Sequence, residues 1–131
     1  MPSQPAEYGE ILLDHFDNPR NAGDVERPEA TGRAANPACG DTLVITLRVR
    51  EGRIEEARFR ASGCGASIAS SSMLTVMLTG ATLDEARALT NEDVARELGG
   101  LPPAKLHCSV LAEEAIRDAL EDLARRGAAA T

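Results

Sequence analysis

The chain has 131 residues, a formal net charge of −7, 43% hydrophobic and 27% charged residues. That length and balance suit one domain over residues 1–131 with one hydrophobic core. The acidity argues against phosphate-backbone binding, and two Phe, one Tyr and no Trp leave no stacking platform for single-stranded nucleic acid. The opening Met1-Pro2-Ser3-Gln4-Pro5-Ala6-Glu7 has neither the basic nor the apolar region of a secretory signal. Apolar runs are too short for a membrane helix, so a cytoplasmic chain without membrane contact is expected.

Tyr8 to Phe16 reads as a short helix with Ile11, Leu12 and Phe16 on its apolar face, ended by the turn formers Asn18-Pro19-Arg20-Asn21 and Gly23. Polar residues up to Pro37 predict loop with one edge strand. From Thr42 to Arg50, Leu43, Ile45, Leu47 and Val49 alternate with Thr42, Thr46, Arg48 and Arg50, the pattern of a half-buried strand; Val44 is the exception. Glu51-Gly52 turns the chain into a hairpin partner, Ile54 to Ala61, and the phase of Ile54 predicts a bulge near Glu55-Glu56. A helix from about Ser67 to Thr79 follows Gly63-Cys64-Gly65. Thr82 and Glu85 form a capping box for the next helix, and Asn91 opens a short one. Pro102-Pro103 predicts an extended segment, and a long final helix runs from about Ser109 to Arg126. Acidic Glu113, Glu114, Asp118, Glu121 and Asp122 read as its solvated face. The fold class is α+β, a small antiparallel sheet of about three strands with helices on one face.

Three cysteines make an odd number, so reduced thiols are expected. Each falls at an element end: Cys39 before the first clear strand, Cys64 between hairpin and helix, Cys108 after His107 at the last helix. A thiolate is the metal-binding form and is favoured at a helix N-terminus, where Cys64 and Cys108 are expected. Gly40, Gly63 and Gly65 leave room beside the sulfurs. The plain alternative for any one of them is a buried structural thiol. Three Cys with Asp41 or His107 meets the four-ligand count of a two-iron cluster, where His can replace Cys. His15 reads as a packing residue, and Ser70-Ser71-Ser72 as a run permitting close helix contact.

These residues resemble the IscU/NifU-type iron–sulfur cluster assembly scaffolds from Tyr8 to about Asp122. The resemblance is carried by Asp14-His15, Asn18-Pro19-Arg20-Asn21, Pro37-Ala38-Cys39-Gly40-Asp41, Gly63-Cys64-Gly65, Ala69-Ser70-Ser71-Ser72, Leu101-Pro102-Pro103-Ala104-Lys105 and Leu106-His107-Cys108-Ser109. It implies a scaffold rather than an enzyme. Cys39, Cys64 and Cys108 would be cluster ligands, Asp41 would promote assembly and release, and His107 would be a further ligand. Cys108 would accept persulfide sulfur from a cysteine desulfurase, and iron (Fe2+) would enter the same site. Partners such as frataxin and ferredoxin would supply iron and electrons, and a transient 2Fe–2S cluster would pass to apoproteins. Leu101 to Lys105 resembles the grip site of an Hsp70-type chaperone, and Tyr8 a residue linked to dimerisation, leaving monomer or dimer open. Thr75-Val76-Met77-Leu78-Thr79-Gly80 and Ala104 depart from the family pattern. The alternative is a sulfur-transfer protein holding Zn2+ at the same ligands; that branch carries an insertion before its third Cys and lacks the His. A Cys108–His107 catalytic pair is disfavoured because sequence neighbours usually point apart.

Overall fold

The computed structural model describes residues 9–37 and 40–127, so Tyr8 and Cys39 lie outside the described residues. Strands β1 (Ala30–Asn36), β2 (Asp41–Arg50) and β3 (Arg53–Ser62) form an antiparallel sheet in the order β1-β2-β3. Alternation puts Leu43, Ile45 and Leu47 of β2 and Ala57 and Phe59 of β3 on the buried face. Glu51 and Gly52 both take positive φ, the twist that a two-residue hairpin requires. Arg48 pairs with Glu56 and Val49 with Ile54, so Glu55 is the extra residue of the expected bulge. That extra residue returns Ile54 to the core, where it is fully buried.

Among the described residues five helices follow the predicted order: α1 (Glu10–Asp17), α2 (Gly65–Leu78), α3 (Leu83–Ala88), α4 (Asn91–Glu97) and α5 (Leu106–Arg125). Thr82 and Glu85 form the predicted capping box of α3. On α4 the cap is Thr90, paired with Asp93, rather than Asn91. Pro102 is extended as expected, but Pro103–Lys105 coils into a 3-10 turn that runs straight into α5. The fixed φ of proline suits a first helical turn. As a result α5 starts at Leu106, and Cys108 sits inside its first turn instead of just ahead of it.

Helix α5 lies across β1 and β2, and α2 lies on β3 with α1 outside it. α2 is buried around its circumference: Ala66, Ala69, Leu74 and Leu78 share the interior with Ser67, Ser70, Ser71, Ser72 and Thr75. Several of these hydroxyls donate back to the helix, Ser71 to the Ser67 carbonyl and Thr75 to that of Ser72. His15 is buried between α1 and α2, its Nδ1 2.8 Å from Ser72 Oγ.

The acidic side of α5 differs from expectation. Asp122 accepts the Thr31 N–H at 2.9 Å, Asp118 accepts the Arg33 N–H at 2.8 Å, and Glu113 accepts the Asn91 N–H. Of the five acids only Glu114 and Glu121 are exposed. A charge pattern on a helix does not reveal an unpaired strand edge alongside it, and here the helix supplies acceptors to that edge. Gly32, between the two capped residues, lets α5 come close: a Cβ there would lie 2.5 Å from the Ala119 backbone nitrogen. No helix among the described residues is long and apolar enough to cross a membrane.

Candidate metal centre

Three element ends meet at one rim of the sheet. Asp41 is the first residue of β2, Cys64 is the N-cap of α2, and His107 and Cys108 lie in the first turn of α5. The register explains half of this, because Thr42 pairs with Ser62 and so Gly63-Cys64 leaves β3 beside Asp41. The proline turn explains the rest by starting α5 early enough to present both His107 and Cys108 at that rim.

Ligand atoms of Asp41, His107 and Cys108 all lie within 4.8 Å of one another. Cys64 Sγ is 3.8 Å from Cys108 Sγ, His107 Nε2 is 3.6 Å from Cys108 Sγ, and His107 Nε2 is 3.6 Å from Asp41 Oδ2. Metal–sulfur and metal–nitrogen bonds of about 2.3 and 2.0 Å at a tetrahedral angle separate two sulfurs by about 3.8 Å and a sulfur and nitrogen by about 3.6 Å. The donors are thus spaced as ligands of a metal would be. Contrary to the expectation for sequence neighbours, His107 and Cys108 meet. On the first turn the side chains lean toward the helix mouth, and the imidazole is long enough to reach the neighbouring sulfur.

The two described thiols differ. Burial works against the Cys64 thiolate, but the nearby N–H groups of Ser67 and Ala66, the Ser67 hydroxyl and the Cys108 thiol outweigh it, leaving Cys64 below its ordinary value. Cys108 is pushed up to about 12, first by burial and then by the negative charge that Cys64 and Asp41 bring beside it. A coordinated thiol is deprotonated outright, so metal would override that difference.

Gly63 and Gly65 serve the site otherwise than expected. A Cβ on Gly63 would lie 2.5 Å from Asp41 Oδ1, and one on Gly65 3.1 Å from the Phe16 ring. The space they leave therefore holds a carboxylate and an aromatic ring. Gly40 has open space around it and a φ of 75°, so it serves the turn into β2. Ser67, which no sequence motif singled out, places its hydroxyl 2.6 Å from Asp41 Oδ2 and 3.3 Å from Cys108 Sγ. Its only sequence signal is its place three residues after Cys64, on the first turn of α2. A cleft of about 230 Å³ lined by Asn36, Pro37, His107, Val110 and Glu114 opens beside the site. A larger one of about 410 Å³ near Arg50, Arg53 and Thr79 lies at the other end of β2 and contains neither sulfur nor imidazole.

A thiol, imidazole and carboxylate set at the rim of an α+β domain defines a candidate metal-site protein. Residues 7–130 match the model of the NifU-like N terminal domain, and the chain belongs to that family. The iron-sulfur cluster assembly scaffold protein IscU of Escherichia coli (strain K12) is 48% identical over 119 residues, covering 88% of this chain and 92% of that one. Its namesake IscU 1 of Archaeoglobus fulgidus is 46% identical over 119 residues, covering 91% and 78%. The crystal structure of a nitrogen-fixing NifU-like protein (N-terminal) from Brucella abortus has the same fold, with a TM-score of 0.74 at 23% identity, covering 90% of this chain and 94% of that one.

Proposed function

We propose that this chain is a scaffold on which an iron–sulfur cluster is assembled and from which it is passed on. The observation that carries the reading is the grouping of Asp41, His107 and Cys108 at ligand spacing, with Cys64 Sγ 3.8 Å from Cys108 Sγ, in a chain whose relatives are named as assembly scaffolds. Those names favour cluster assembly over sulfur transfer on zinc, and a non-enzymatic role.

The whole chain would act as one domain, with Cys39, Cys64 and Cys108 as the cysteine ligands and His107 or Asp41 completing the set. Asp41, His107 and Cys108 form the tight group, and Cys64 joins through Cys108 at 3.8 Å. A site extended toward Cys64 suits a two-iron core better than a lone ion, and a 2Fe–2S cluster is the cargo we assign. A carboxylate or imidazole in place of a fourth thiolate would ease release. Cys108 is the proposed sulfur acceptor once its proton has been drawn off. Fe2+ would be the working ion, with Zn2+ able to occupy the same donors.

A sulfur donor and acceptor proteins follow from the role. We assign a cysteine desulfurase as donor, iron and electron donors such as frataxin and ferredoxin, and an Hsp70-type chaperone acting at Leu101 to Lys105. Pro103 and Ala104 are exposed, and the turn they form leads directly into the residues carrying His107 and Cys108. A pull there would act on two ligands at once. The cytoplasm, where thiols stay reduced, is the expected setting.

Anaerobic incubation with iron, cysteine and a desulfurase should give a coloured protein with about two irons per site. A colourless product that takes up sulfur only when zinc is bound would overturn the reading.

A further inference from the structure

Asp41 stands in a slot of its own. It is 4% exposed, and its Oδ1 faces the bare Cα of Gly63, where a Cβ would come within 2.5 Å. Its Oδ2 faces the other way, 2.6 Å from the Ser67 hydroxyl and 3.6 Å from His107 Nε2. Ser67 is itself 2% exposed, fixed on the first turn of the buried helix α2. A hydroxyl has one hydrogen to give. The carboxylate at 2.6 Å is a nearer and stronger acceptor than Cys108 Sγ at 3.3 Å, so the hydrogen goes to Asp41.

We propose that Ser67 is a positioning residue for Asp41, its hydroxyl holding the carboxylate turned toward His107 and Cys108 so that it meets an incoming metal already oriented. This rests on the reading of Asp41 as a metal donor. Without the hydroxyl, a buried carboxylate oxygen loses its donor and the side chain is free to turn in the slot. Partners of this kind orient ligating carboxylates in metal sites, and their loss lowers metal affinity about 10- to 100-fold. Both sulfurs remain in place as ligands in its absence, because a thiol that binds metal is deprotonated by the metal itself.

The test is Zn2+ affinity of the full chain by competition with a chromophoric chelator, measured on the unaltered protein, Ser67→Ala, Asp41→Ala and the double variant. Alanine suits a helix, and far-UV circular dichroism checks the fold of each variant. Ser67→Ala should weaken zinc binding by about 10- to 100-fold. It should weaken it no further in the Asp41→Ala background, and Ser67→Thr, which keeps the hydroxyl, should restore much of the loss. With Co2+ as probe, Ser67→Ala should retain sulfur-to-metal charge transfer and shift the visible ligand-field bands as Asp41→Ala does. Unchanged affinity in Ser67→Ala, or the same loss with and without Asp41, overturns the assignment while leaving the metal site intact. An unaltered chain that binds no zinc overturns the metal-site reading and this one with it.

Discussion

Replacing Gly32 by Ala should lower the melting temperature of the metal-free chain by about 7–11 °C. Gly32 pairs with Ile45 in the sheet and does not have the positive φ that only glycine tolerates well. An alanine in a strand interior is otherwise favoured by about 0.5–1 kcal/mol. Here its Cβ would overlap the Ala115 carbonyl oxygen, lie 2.5 Å from the Ala119 nitrogen and 2.8 Å from the Ala119 Cβ. These are mostly helix backbone atoms, and no change of rotamer moves them aside. Overpacking costs about 1–3 kcal/mol and occasionally more, and a rigid helix places this site at or above the upper end, leaving a net loss of about 2–3 kcal/mol. With an unfolding entropy of about 2.1 cal/mol/K per residue over 131 residues, roughly 0.28 kcal/mol/K, that loss gives the predicted shift. Scanning calorimetry measures it directly. A melting temperature that stays put or rises would mean that α5 does not approach β1 as closely as described, and the packing argument would fail.

Asp122→Ala removes the acceptor of the Thr31 N–H and should cost about 1.5–3 kcal/mol at neutral pH. That backbone donor, more than Arg126 and Arg125, holds the carboxyl below its ordinary value of 3.8, so its stabilisation is present above that pH and is lost as pH falls through the lower folded value. Thermal melts of the variant and the parent should therefore converge below pH 4; a constant gap would contradict the mechanism. His15 is held below its ordinary value of 6.5, first by burial and then by the Arg20 charge. The unfolded chain then binds the extra proton, so stability should decline as pH drops below about 6.5, and His15→Gln should flatten that decline between pH 7 and 5. An identical slope in both proteins would show that His15 does not titrate in this way. In the metal-free chain at pH 7.5, iodoacetamide should label Cys64 well ahead of Cys108, because Cys64 is lowered and half-buried while Cys108 is raised and 2% exposed. Site-resolved mass spectrometry showing Cys108 labelled first would refute that order.

The legible parts were those governed by local rules. Alternation from Thr42 to Arg50, the phase slip at Ile54 and the Thr82/Glu85 capping box each depend on residues a few positions apart, and each appears as read, save that Thr46 is buried where it accepts the Val25 N–H. Misreadings came where a distant element changed a local preference. Pro102-Pro103 reads as a break, yet one more residue of fixed φ begins the turn that opens α5. Asp118 and Asp122 read as a wet face because their N–H donors on β1 lie 85 and 91 positions away. Ser67 is inconspicuous in the sequence for the same reason, its carboxylate partner being 26 residues earlier.

Sequence by itself determined the chemistry on offer: an acidic, aromatic-poor α+β chain with thiols, an imidazole and a carboxylate at element ends, in the pattern of a known scaffold family. Tertiary structure alone decided which of these groups touch. It brought His107 against Cys108, turned Asp41 between Gly63 and Ser67, and made one thiol more acidic and the other less so. The physical reason is that residue type and spacing fix what a side chain can bind, whereas distance, burial and competing donors, which set its charge and direction, arise only when remote segments pack together.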